Sequence, residues 1–213
     1  MLKILINGYG AMGKVLEETV KTYDDIEIAG MCRNADDLHK TADFDVLIDF
    51  SVPDAIYNIA QYCTEKQKPA VLAVTGYSPE QEKIIEELSE KVPVFRAENL
   101  SIGINIMKKL IKTVSETLGW NAELIEKHHI RKKDAPSGTA LSLAENINES
   151  IPIHSIRLGN IVGEHCIIFS QGDEILEIRH IALSKKVFAE GAVKAARFIV
   201  SAGKGIYSMD NIL

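Results

Sequence analysis

Five short apolar runs alternate with amphipathic helical segments over the first hundred residues, and no other feature constrains the fold as strongly. The runs cover residues 3–6, 26–31, 46–49, 70–74 and 92–95. They have few polar interruptions, as expected of strands buried on both faces. Between them Met12, Val15, Leu16 and Val20 recur at helical spacing. So do Ile56, Ile59, Ala60 and Cys63, and then Ile84, Ile85 and Leu88. Ser78-Pro79-Glu80-Gln81 is a helix start, with Ser as N-cap, Pro in the first helical position and Gln three residues on. Strands joined through helices run parallel, so this half predicts an α/β fold with a parallel sheet covered on both faces.

The rhythm changes after about Asn99. Ile104, Met107, Leu110, Ile111 and Val114 mark a long helix that ends near Gly119. A strand is expected over 122–126, then a charged loop and a helix over 139–148. Runs at 153–157, 165–170 and 175–181 alternate more clearly, as in Glu177-Ile178-Arg179-His180-Ile181. Such alternation predicts a mixed or antiparallel sheet with one face partly wet. The last helix, over 188–200, is Ala-rich and is expected to return to the first domain. The boundaries are therefore 1–99 with 186–213 for one domain and 100–185 for a smaller α+β domain.

Composition excludes several classes. The 213 residues carry a net charge of −6 and a pI near 5.6, whereas a nucleic-acid binder is usually basic. No apolar run is long enough to cross a bilayer. The apolar start is cut short by Asn7-Gly8 and reads as a buried strand, not a signal peptide. Cys32, Cys63 and Cys166 have neither disulfide nor metal spacing. A cytoplasmic protein with reduced thiols and no metal, nucleic-acid or membrane partner is expected.

Gly8-Tyr9-Gly10-Ala11-Met12-Gly13 is a G-x-G-x-x-G placed directly after the first strand and opening a helix. In that context the first Gly permits the turn, the second admits a pyrophosphate and the third lets helix and strand pack closely. The phosphates would sit on free N–H groups at the helix N-terminus. The first domain thus reads as a Rossmann-type dinucleotide-binding domain. Met31-Cys32-Arg33-Asn34 ends the second strand without the Asp or Glu that reads a ribose 2′-hydroxyl, and Arg33 suits a 2′-phosphate instead. The alternatives are a purely structural turn and a solvated Arg33.

The densest chemistry lies in Glu126-Lys127-His128-His129-Ile130-Arg131-Lys132-Lys133-Asp134-Ala135-Pro136-Ser137-Gly138-Thr139-Ala140. A helix start bearing Thr and free N–H groups binds carboxylates. His titrates near neutral pH and can donate a proton, and a nearby Lys adds charge or a second proton. Together they describe a site for a small acid that gains a proton. A solvated basic face or a phosphate patch is the alternative, and two adjacent His without a third ligand make a poor metal site.

This segment closely resembles the signature E-x-H-H-x-x-K-x-D-A-P-S-G-T-A of the dihydrodipicolinate (4-hydroxy-tetrahydrodipicolinate) reductases. The resemblance continues through Asp49-Phe50-Ser51 with Pro53, Val74-Thr75-Gly76, Ala97-Glu98-Asn99-Leu100-Ser101-Ile102-Gly103, His154-Ser155-Ile156-Arg157, Val162-Gly163-Glu164-His165 and Phe188-Ala189-Glu190-Gly191-Ala192. The departures are Leu158 before Gly159, Lys185 for a common Arg, Ala73-Val74 in the cofactor turn, and a short stretch between Ala140 and Ile153.

The resemblance implies reduction of 4-hydroxy-tetrahydrodipicolinate by NADPH or NADH in lysine and diaminopimelate synthesis. It implies His128 as proton donor and Lys132 as the second catalytic cation. His129, Ser137, Gly138 and Thr139 would hold the substrate. Gly8, Tyr9, Gly10, Ala11, Met12, Gly13, Arg33, Phe50, Ser51, Ala73, Val74, Thr75, Gly76, Ala97, Glu98, Asn99 and Leu100 would hold the cofactor. Hinges near Asn99 and Lys185 and a homotetramer joined through the second domains are further implications. Two rivals stand beside this reading. A related nicotinamide enzyme acting on another amino or imino acid would lack the His-His loop. A non-catalytic dinucleotide sensor would need no proton donor.

Overall fold

The computed structural model describes residues 1–33, 35–41 and 43–213. Asn34, the last residue of the stretch read for ribose contacts, lies outside the described residues. The elements begin with β1 (Leu2–Asn7), α1 (Ala11–Val20), β2 (Ile26–Cys32), β3 (Val46–Asp49), α2 (Ile56–Lys66), β4 (Ala70–Leu72), α3 (Pro79–Ser89) and β5 (Pro93–Arg96). There follow α4 (Ile102–Leu118), β6 (Asn121–His128), α5 (Gly138–Ala144), β7 (Ile153–Arg157), β8 (Gly163–Gln171) and β9 (Glu174–Ala182). The chain closes with α6 (Lys186–Ile199) and β10 (Gly205–Tyr207). Two compact units result, Met1–Ser101 with Lys186–Leu213, and Ile102–Lys185.

In the first unit, six strands among the described residues form a parallel sheet in the order β10-β5-β4-β3-β1-β2. Its near-continuous apolar strands feed two cores. Ile4, Ile6, Ile48, Val71 and Phe95 meet Leu16 of α1 and Ala192, Ala196 and Ile199 of α6. Leu5, Leu47, Leu72 and Val94 meet Ile59 and Cys63 of α2 and Ile85 and Leu88 of α3. The expected doubly covered sheet is present. β10 escaped the sequence reading because three residues carry no periodicity; parallel pairing with β5 places it.

The second unit holds a mixed sheet, order β7-β6-β8-β9 among the described residues, with β6 parallel to β7 and antiparallel to β8. Ile104, Met107 and Ile111 of α4 and Leu143 of α5 pack on Leu124, Ile167 and Phe169 of the sheet. The helix expected over 139–148 stops at Ala144. The Asn146 side-chain amide donates to the Ser142 carbonyl at 2.7 Å, and the Asn146 backbone N–H turns to Leu143 instead. An Asn side chain competing for a helical carbonyl ends a helix in this way. The strand expected over 122–126 continues to His128, because β7 offers partners as far as Arg157.

Candidate active site

The turn after β1 is built from backbone. Gly8 has φ +92°, in the left-handed region where a side chain is strained. A Cβ on Gly13 would stand 2.2 Å from the Gly8 carbonyl oxygen, so α1 lies against the turn as closely as backbone allows. Gly10 has nothing within 4 Å of where its Cβ would project. α1 starts at Gly10 with no side-chain cap and no acid in its first turn, unlike α3 and α5, whose Ser78 and Ser137 cap them. Its first N–H groups are therefore available to an anion. These residues fit a dinucleotide pyrophosphate.

Beside the turn a cleft of about 630 Å³ is lined by Gly8, Tyr9, Gly10, Arg33, Phe50 and Ser51, together with Val52, Asp54, Ala55 and Asn58. The last four were missing from the sequence reading. They open the segment after β3, and only pairing of β3 beside β1 brings them to the turn. The buried Asp49 carboxylate braces this edge. Its Oδ1 accepts from Asn7 Nδ2 at 2.8 Å and from Ser51 Oγ at 2.6 Å. Burial pushes the Asp49 titration up.

Ala73, Val74, Thr75 and Gly76 follow β4, and Ala97, Glu98, Asn99 and Leu100 follow β5. In-register pairing places both segments at the same carboxyl edge as the turn, although neither lines the cleft. Ligands of such sheets bind outside the carboxyl ends of the strands. Thr75, Gly76 and Glu98 are exposed; Val74, Ala97 and Leu100 bury their side chains, the Ala97 N–H donates to the Leu72 carbonyl at 3.1 Å, and the Leu100 carbonyl packs against Gly191 of α6. Asn99 Oδ1 accepts from Ser101 N at 2.9 Å. At the start of α1, Ala11 is exposed and Met12 half-buried.

In the second unit the site is built from side chains. β6 turns Ala122, Leu124, Glu126 and His128 to the buried face. The first two are core. The last two set a carboxylate and an imidazole on the same row, so His128 ends a strand where the sequence reading had a loop. Register puts Arg157 of β7 beside His128, and His165 of β8 beside Glu126. Arg157 grips Glu126 with two guanidinium nitrogens, at 2.9 and 2.7 Å. Glu126 Oε2 also meets His128 Nδ1, and its Oε1 accepts from Ser137 N at 3.2 Å.

The electrostatics follow from that geometry. Burial alone would raise Glu126, but the Arg157, Ser155 and His128 contacts outweigh it and bring its pKa to about 2. Burial lowers His128, with Glu126 opposing. Burial beside His128 pushes His165 down to about 4, so it stays neutral at pH 7. The two rings meet edge-on at 5.3 Å.

Lys132 Nζ pairs with Asp134 at 2.8 Å. His129 is half-buried, and its Nδ1 has no hydrogen-bond partner among the described residues. Ser137 Oγ caps α5 by accepting from Ala140 N at 3.2 Å, and lies 3.4 Å from His165 Nε2. Gly138 opens α5 with nothing within 4 Å of a projected Cβ, and Thr139 follows it half-buried. Glu126, Arg157 and His165 were not assigned roles from sequence. For Glu126 the signal was present: Glu126 and His128 continue the inward row of Ala122 and Leu124, and charge on a core face asks for a reason.

Residues 2–100 match the family model "Dihydrodipicolinate reductase, N-terminus" and residues 103–213 match "Dihydrodipicolinate reductase, C-terminus". The 4-hydroxy-tetrahydrodipicolinate reductase of Clostridium tetani is 39% identical over 248 aligned positions, covering 100% of this chain and 97% of that one. Those 248 positions exceed this chain's 213 residues by 35, so the clostridial protein carries segments absent here. The reductase of the same name from Thermosipho africanus is 40% identical over 205 residues, with 96% and 94% coverage. A solved structure, dipicolinate-bound dihydrodipicolinate reductase from Paenisporosarcina sp. TG-14, superposes with a TM-score of 0.85 at 25% identity over 100% of both chains. The chain belongs to the dihydrodipicolinate reductase family.

Proposed function

We propose that this chain reduces 4-hydroxy-tetrahydrodipicolinate to tetrahydrodipicolinate with NADPH or NADH, a step of lysine and diaminopimelate synthesis. One observation carries the reading. The segment 126–140 folds so that a buried, carboxylate-bound His128, Lys132 and the turn opening α5 belong to one cluster of the second unit. The names of the relatives at 39% and 40% identity support the substrate.

The nicotinamide dinucleotide supplies hydride when bound. Gly8–Gly13 would hold its pyrophosphate, and Arg33 would meet a 2′-phosphate, favouring NADPH while NADH remains usable. The substrate loses its 4-hydroxyl as water, and once the resulting conjugated ring has taken up hydride, His128 in the second unit delivers the proton that completes reduction. Lys132 supplies a second proton or stabilises charge. Ser137, Gly138, Thr139 and His129 hold the substrate's carboxylates. The first unit is then the dinucleotide-binding domain, and the second binds substrate and assembles the oligomer. β9 supports that assembly: it is a sheet edge with Ile175, Leu176 and Ile181 exposed, and such an edge must be covered. The assembly is a homo-oligomer, a tetramer by family resemblance, in the cytoplasm. Among the described residues no helix is long and apolar enough to cross a membrane.

The test supplies purified chain with enzymatically generated substrate and follows nicotinamide absorbance with NADPH and NADH separately. Substrate-dependent oxidation of either cofactor is expected. Binding of both cofactors with no oxidation of either would defeat the proposal.

A further inference from the structure

Glu126 is wholly buried, yet charged and titratable groups surround it and the His128 ring that it holds. Arg157 comes from β7, His128 from β6 itself, and His165 from β8 with His180 next in register on β9. Lys132 and Asp134 come from the loop, and Ser137 N–H from the turn opening α5. Lys127 on the alternate face of β6 is occupied elsewhere, pairing with Glu164 at 2.9 Å, which also takes Arg179 at 2.5 Å.

One carboxylate thus joins the imidazole, the guanidinium and the loop that holds Lys132. Gly163 of β8 completes the arrangement on the far side of the ring. A Cβ there would come within 3.3 Å of His128 Nε2, so the absence of a side chain keeps that nitrogen clear.

We propose that Glu126 is a positioning residue: clamped by Arg157, it holds His128 by Nδ1 so that Nε2 is the atom that takes up and delivers the proton. The proposal rests on the reading of His128 as the proton donor. A carboxylate that accepts Nδ1–H leaves the lone pair of the neutral ring on Nε2. Solvent protonates that nitrogen, and the imidazolium so formed lies against the Glu126 charge. The bidentate Arg157 contact joins those from Ser155 and Ser137 N–H in keeping Glu126 ionised, so the carboxylate remains an acceptor throughout. Burial drives the His128 titration down, Glu126 draws it back up, and Lys132 and Arg157 lower it. Those opposed influences give the proposal a signature that loosened packing does not share.

The experiment is an NMR titration of the His128 ring nitrogens in the full chain, for wild type, Glu126→Gln, Glu126→Asp and Arg157→Met. It is joined to kcat and KM measured across about pH 5 to 9. The neutral wild-type ring is expected to carry its proton on Nδ1. Glu126→Gln lowers the midpoint by about one pH unit or more. Its kcat at neutral pH falls about tenfold while KM stays within about twofold. Glu126→Asp recovers part of the midpoint. Arg157→Met moves it upward, because a cation that lowers it leaves while the Ser155, Ser137 N–H and His128 contacts still hold Glu126 as a carboxylate. If Glu126→Gln does not fold, the upward shift in Arg157→Met carries the test.

A neutral ring protonated on Nε2, an unmoved midpoint, or shifts of the same sign in both variants overturns the proposal. The titration needs no turnover. A wild type with the predicted titrations but no reduction of substrate would support the positioning role and sink the functional reading instead.

Discussion

The turn after β1 and the end of β6 are both strand termini in their own units, yet they are made of opposite materials. The first is backbone: Gly8 at φ +92°, Gly13 against the Gly8 carbonyl and an uncapped helix start. The second is buried charge: Glu126 between Arg157 and His128, with a neutral His165 behind. A pyrophosphate is the same in every dinucleotide, so N–H groups at fixed spacing serve it. A proton donor must change state in each cycle, so it needs titratable neighbours that set when it does. The contrast predicts that steric substitutions cripple the first site and electrostatic ones the second.

The largest effect outside the proton donor is expected at Gly13→Ala. The new methyl meets a backbone oxygen, which cannot step aside as a side-chain tip can. A penalty of about 2–3 kcal/mol is expected, roughly 30- to 150-fold in Kd, for NADH and NADPH alike. Calorimetric titration checks it, and unchanged binding would break the steric half of the comparison.

His165 sharpens the electrostatic half. Its pKa falls from 6.5 to about 4 on folding, so below pH 6.5 the unfolded chain takes up a proton that the folded chain refuses. The stability this neutral imidazole contributes is complete above about pH 6.5 and is lost as pH falls towards 4. Between pH 7 and 5 the loss is about 2 kcal/mol. Urea unfolding of wild type and His165→Gln at the two pH values measures it. The variant should lose less stability over that interval, and equal losses would place the proton elsewhere.

The smallest effect belongs to Arg33, an exposed cation at the rim of the cleft. Exposed ion pairs contribute about 0–1 kcal/mol, so Arg33→Ala should weaken NADPH by at most about fivefold and spare NADH. Parallel titrations decide it. Equal losses for both cofactors would mean that Arg33 does not read the 2′-phosphate.

Legibility in the sequence divides along the same line. The glycine turn could be read because its three positions are set by local stereochemistry, and the strand–helix alternation around it because each element is long enough to show a period. The strand from Asn121 to His128 was read one residue short at its start and two at its end, and that last pair is specified by β7, some thirty residues later. Arg157 and His165 stand in segments that resemble the family, but nothing local gave them a role, and only register delivers them to Glu126. Val52, Asp54, Ala55 and Asn58 were invisible for the same reason, as pairing of β3 with β1 brings them to the turn. The early end of α5 turned on one side chain, Asn146, choosing a helical carbonyl over solvent.

The division of labour between the two sites is tested most directly by His128→Gln, with turnover and dinucleotide affinity measured on the same preparation. Turnover should fall about a hundred- to ten-thousand-fold, the usual contribution of a general acid. The Kd for NADPH should stay within about twofold of wild type, because the turn proposed to bind it contains no part of the His128 cluster. Near-normal turnover, or a parallel loss of cofactor binding, would contradict the account.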